Sequence, residues 1–113
     1  MSDTHYFLCR LLPPRATFAL DMNVEESALM GVHVEYWRDH MRAGRVVVFG
    51  PVADPQGPWG LGIVRGAGLA EVETFTGQDP VIAADRGFRY EILPMVEAVL
   101  PIDVERPRTI PPP

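Results

Sequence analysis

The stretch "NVEESALMGVHVEYWRDHMRAG", from Asn23 to Gly44, constrains the fold more than any other part of the chain. Asn23 fits an N-cap, Glu25 and Glu26 fall in the first turn, and Gly44 supplies the stop, so the segment predicts one long helix. At about 100° per residue, Glu35, Arg38, Asp39 and Arg42 gather on a solvated side. Leu29, Met30, His33, Val34, Tyr36, Trp37, His40 and Met41 fill the opposite arc. An arc that wide has to be covered by another layer of structure.

The flanking segments suggest a sheet as that layer. "THYFLCRLL" (Thr4 to Leu12) ends at the break "PPR" and reads as a strand, with Phe7, Cys9 and Leu11 on one face and Tyr6, Leu8 and Arg10 on the other. "ATFALDMN" is taken as loop. After the helix, "RVVVFGP" is a β-branched run closed by Gly-Pro and predicts a buried strand. "ADPQGPWG" carries turn signals, and "LGIVRG" returns as a strand. "AGLAEVETFTGQDP" predicts a second helix with Leu69, Val72 and Phe75 (with Thr76) on one side, ending at or before Asp79 because of Pro80. "VIAADRG" fits a further short helical turn, and "FRYEILPM" alternates as the last strand.

The order β-α-β-β-α-β predicts an α+β, ferredoxin-like sandwich, an antiparallel sheet with both helices on one face. The uncovered face implies a partner, so a homodimer is expected. Residues 1–100 are assigned to this domain and 101–113, with its five prolines, to a tail. The start of the tail fits a strand extension or a crossing to a partner subunit, its end an extended segment.

Bulk properties narrow the function classes. A net charge of −5 without a basic stripe argues against nucleic acid as a partner. The longest apolar runs fall short of a membrane span, and the N-terminus lacks a basic region followed by an apolar one, so no membrane association and a cytoplasmic protein are expected. A single cysteine, Cys9, excludes an internal disulfide and a cysteine-based zinc site, and its place on the apolar strand face suggests an inert thiol.

Candidate chemistry rests on histidines and carboxylates. His33 and His40 both lie on the apolar side of the helix, where imidazole nitrogens need partners. Seven residues separate them by about 10.5 Å along the axis, too far to share an ion, and no metal is expected. Asp54 and Asp79 each precede proline, which holds the local backbone extended. Either simply starts a turn, or it orients a histidine that acts as general base. The glycines of "GPVADPQGPWGLG" are hairpin chemistry and not a phosphate loop, since no helix follows. Trp59 at this tip fits either a lid or a dimer contact.

The order of these pieces, from "VHVEYWRDHMRAG" through "VVVFGP", "VADPQGPWGLGIV" and "DP" to "FRYEILPM", resembles the YciI-like (YCII-related) proteins across roughly Tyr6 to Met95. The resemblance implies a ferredoxin-like fold in the dimeric α/β-barrel group, in which two sheets pack face to face. It also implies an active site centred on a histidine and an aspartate. The family's helix histidine precedes a glycine by eleven residues, the interval from His33 to Gly44, whereas His40 does not keep it. The family's DP aspartate falls on Asp79, and Asp54 matches an acidic position after the Gly-Pro. Some relatives are dehydrochlorinases of small chlorinated aromatic compounds. Met30 stands where members often carry arginine, and the tail runs past the family's usual end.

The sequence therefore predicts a small enzyme without a cofactor, with His33 as general acid/base and Asp79 orienting it. Asp54, Trp37, Trp59 and His40 are expected around the pocket or behind it. The reaction class would be elimination, isomerisation or hydrolysis on a small organic compound of aromatic character. The rival expectation is a non-catalytic dimeric module, binding a small molecule or serving a stress response.

Overall fold

Strand β1 (His5–Leu12) forms where aromatic and aliphatic side chains alternate, and it stops at the Pro13-Pro14 pair. In the computed structural model, which describes residues 4–104, it is a central strand. Phe7, Cys9 and Leu11 turn inward and are buried, while Tyr6, Leu8 and Arg10 face the other way. The remaining strands are β2 (Val46–Val52), β3 (Trp59–Gly66) and β4 (Arg89–Pro94), in the spatial order β2-β3-β1-β4 with every pairing antiparallel.

Helix α2 (Val24–Arg42) links β1 to β2, and helix α3 (Leu69–Gly77) links β3 to β4. The start of α2 is fixed by a full capping box. Asn23 accepts from the Glu26 N–H, and Glu26 accepts from the Asn23 N–H. Its end relies on Gly44, whose φ of 87° is open to glycine without strain. Phe7, Cys9, Trp37, Val46, Val64, Val72 and Phe75 make one core between sheet and helices.

The expected dimeric α/β-barrel is overturned. The described strands form an open four-stranded sheet, and β2 and β4 are edges paired on one side only. Four strands are too few to curl into a closed ring, and about eight are needed even for a barrel whose interior is just filled.

Local expectations also change. The loop assigned to "ATFALDMN" contains a short helix, α1 (Phe18–Asp21), anchored by Phe18, which meets Phe88 edge-on at 5.0 Å. Arg15 bonds both Asp21 and Glu26 and so ties α1 to the first turn of α2. Only part of "RVVVFGP" is buried, because a register shift turns the strand's residues from the helix-covered face to the helix-free one. Val46 lies in the core, but Val48 is 49 % exposed beyond a bulge at Val47. Leu69 stands at the mouth of α3 and is largely exposed, leaving Val72, Phe75 and Thr76 as the buried side. Met41, placed on the apolar arc of α2, is also exposed near the helix end. Of the tail 101–113, Pro101–Val104 form a 3-10 turn and the rest lies outside the described residues.

Candidate functional site

Pro80 opens α4 (Pro80–Ala83) at the position where its missing N–H costs nothing, and Asp79 caps that turn by accepting from the Val81 N–H at 3.0 Å. The cap sits against the middle of α2, and there Asp79 meets His33. The His33 Nδ1 donates to both Asp79 oxygens, at 2.8 Å to Oδ2 and 3.1 Å to Oδ1. Trp37, one turn further along α2, donates its indole N–H to Oδ2 at 2.8 Å, and Tyr90 of β4 donates its hydroxyl to the same oxygen. Asp79 is 0 % exposed and has four donors, which is what a buried carboxylate needs to stay charged.

The electrostatics follow from these contacts. Burial pushes the Asp79 carboxyl up, but the hydrogen bond and charge of His33, with Tyr90 and Val81, outweigh it and hold the carboxyl below its ordinary range. Burial, and then the Asp79 charge, push the Tyr90 hydroxyl far up, so it stays a donor. With Nδ1 held by the carboxylate, the tautomer that leaves Nε2 as an acceptor is favoured for neutral His33. Nε2 makes no hydrogen bond among the described residues.

His33, 8 % exposed, borders a cavity of about 350 Å³ between α1, α2 and one end of the sheet. Met30, Trp37, Phe49, Trp59 and Tyr90 are among its walls. Trp37 reaches this place only because residue 62 is glycine. A Cβ there would overlap the indole ring.

The other predicted residues separate. His40 packs between Tyr36 (tilted, 4.6 Å) and Phe75 (edge-on, 4.7 Å), and burial lowers its pKa; it is packing, outside the cavity wall. Asp54 stays on its hairpin, accepting from the Gln56 N–H (2.8 Å) and the Trp59 indole (2.9 Å); these two bonds hold its carboxyl down. It holds Trp59 at the cavity wall, with Arg10 over the ring at 4.5 Å, and has no bond to His33. Cys9 is fully buried, and burial pushes its thiol up to about 12, so it is inert.

Tyr90 escaped the sequence reading. The alternation of "FRYEILPM" puts it on the inward face with Ile92, and a buried phenol on such a face needs a partner for its hydroxyl. That need was the available signal, although the sequence does not name the partner.

The YCII-related domain matches residues 7–96, most of the chain and all of the elements that build this site. The chain belongs to the YCII-related domain family. No curated protein matches its sequence. In this YCII-related chain the matched region spans His33, Asp79 and Tyr90 together, whereas the proline-rich tail lies beyond it. Among the described residues, no helix is long and apolar enough to cross a membrane.

Proposed function

We propose that the protein is a small acid/base enzyme in which His33 moves a proton to or from a small organic compound of aromatic character, with Asp79 as its positioning partner. The observation that carries this reading is the 2.8 Å bond from His33 Nδ1 to a fully buried Asp79, beside an apolar cavity. A carboxylate on Nδ1 fixes the ring and its tautomer and faces the positive charge that forms when Nε2 takes a proton. Elimination or isomerisation suits one imidazole with no covalent nucleophile beside it. We further propose that the protein acts as a homodimer, because the helix-free sheet face presents Leu8, Val48, Leu61 and Ile63 without a covering layer.

Substrate screening of the wild type beside His33→Ala and Asp79→Asn tests the chemistry. A general base contributes about 10²–10⁴-fold, so His33→Ala is expected to lose at least about 100-fold in kcat/KM. Turnover unchanged in both variants would remove the pair from the mechanism. A second reading, a binding module without turnover, draws on the fact that Asp79 also accepts from Trp37, Tyr90 and Val81 and so has a structural role regardless. Saturable binding with no reaction on any ligand that binds would favour it. A monomer mass by light scattering at micromolar concentration would sink the dimer.

A further inference from the structure

The charge of the cavity wall is as informative as its shape. About 350 Å³ is roughly twice the 150 Å³ or so of an apolar void that takes up benzene, which is room for a one- or two-ring molecule. Phe18, Phe49, Phe88 and Trp37 give it flat faces, and Met22 and Met30 add side chains that adjust to the shape of an occupant. Among the described residues, no arginine, lysine, aspartate or glutamate lines it.

Two arginines lie over rings of its wall, and the charge of each is paired with a carboxylate. Arg15, over the Phe18 ring at 5.3 Å, is bonded to Glu26 and Asp21. Arg10, over Trp59, is paired with Glu91 at 3.3 Å through one terminal nitrogen. Its Nε is buried without a partner among the described residues, behind the indole and outside the cavity lining. The charge nearest the reacting nitrogen is the Asp79 carboxylate behind His33. A carboxylate or phosphate entering here would shed water, find no free cation and meet a negative charge beyond the imidazole.

The polar groups in the wall give the complement. The Cys9 thiol stays protonated, and the Tyr90 hydroxyl is already spoken for by Asp79. Nε2 of His33 is left as an unengaged acceptor in the neutral ring, so a matching ligand donates one hydrogen bond.

We infer that the His33 cavity selects uncharged molecules, a one- or two-ring apolar frame bearing a single weakly acidic hydroxyl that donates to His33 Nε2, and rejects carboxylates and phosphates on the same frame. This deepens, and rests on, the assignment of the cavity as the small-molecule site. Anion exclusion is set by the wall and does not depend on which reaction follows.

The test is a binding titration of the full chain, by calorimetry at about pH 8, with 2-naphthol, still undissociated there, against 2-naphthoate, fully ionised. 2-Naphthol is expected to bind at least about 30-fold more tightly. Its addition should move the ¹⁵N resonance of His33 Nε2. Met30→Trp fills the cavity from the α2 side and should weaken 2-naphthol binding at least about tenfold. Ala19→Trp, from the exposed α1 side of the same wall, replaces it if Met30→Trp does not fold. Naphthoate binding as tightly as naphthol, an unmoved Nε2 resonance, or affinity unchanged in the folded filling variant would each overturn the proposal. Selective binding without turnover of any bound compound would sink the catalytic reading and leave this one standing. Turnover of an anionic substrate, lost in His33→Ala, would do the reverse.

Discussion

Asp54 and Asp79 begin from the same local chemistry. Each precedes a proline, each accepts from the backbone N–H two residues on, and each accepts from a tryptophan indole. Local sequence therefore equips both carboxylates alike. What divides them is tertiary. Asp54 sits on the hairpin between edge strand β2 and interior strand β3, and among the described residues its side chain bonds only Gln56 and Trp59. Asp79 is carried by α4 against α2, loses all exposure, and gains His33 and Tyr90 as further donors. A turn motif thus becomes a charged centre when a second element closes over it, and the same motif left at the surface only steers one side chain.

The widest predicted gap between the two is in stability. Asp79→Ala leaves the His33 and Tyr90 donors buried without their acceptor and the Trp37 indole with the Tyr90 hydroxyl oxygen alone (3.0 Å), and is expected to cost about 4 kcal/mol, measured by urea unfolding. Asp54→Ala, on an exposed turn, should shift the same midpoint far less. Equal losses would erase the distinction. Next in size is the seat of the Trp37 indole. Gly62→Ala drives a methyl into that ring and should cost about 3 kcal/mol, whereas Gly50→Ala, where a Cβ meets nothing within 4 Å, should be close to neutral. A harmless Gly62→Ala would mean that Trp37 can reach Asp79 from another position. Tyr90→Phe removes one donor from the carboxylate and keeps the ring in the core, for an expected loss of about 2 kcal/mol in the same assay. No loss would show that Oδ2 is satisfied by His33 and Trp37 alone.

How far these differences could be read from the chain depends on the range of the interaction. The caps of α2 were legible, because Asn23, Glu26 and Gly44 act within one turn of themselves. The inward set of β1 was legible because its period is two. His33 on the buried arc followed from helical geometry, and its separation from His40 needed the family spacing. Helix α1 was missed because it is only Phe18–Asp21, too short to carry a period; it is held by Arg15 and Phe88 from outside its own segment. The open sheet was missed for a related reason. The expected barrel came from the resemblance, while the edge status of β2 and β4 is set by strand order, which no local pattern encodes. That Asp79 rather than Asp54 meets the histidine is likewise a fact of topology, since 46 residues separate His33 from its partner.

The smallest expected effect, and the one that isolates the charge, lies on the acid side of the stability curve. The folded-state pKa of Asp79 is depressed below the ordinary 3.8 despite burial, because His33, Tyr90 and Val81 favour the carboxylate. Near that ordinary value the unfolded chain therefore binds more protons than the folded one, and stability rises with pH. The contribution is complete above the unfolded pKa and is lost as pH falls through the depressed folded value. Asp79→Asn cannot take up this proton, so the wild-type curve minus the Asp79→Asn curve should slope by up to about 1.4 kcal/mol per pH unit below about pH 4. Other depressed carboxylates, Glu26 beside Arg15 among them, contribute to both curves and cancel in the difference. Asp54 is depressed as well, by Gln56 and Trp59, but in solvent, so its own difference curve should be the shallower of the two and should weaken with added salt. A flat Asp79 difference curve over that range, or one no steeper than that of Asp54, would mean that the donors around Asp79 do no more for its charge than a surface turn does.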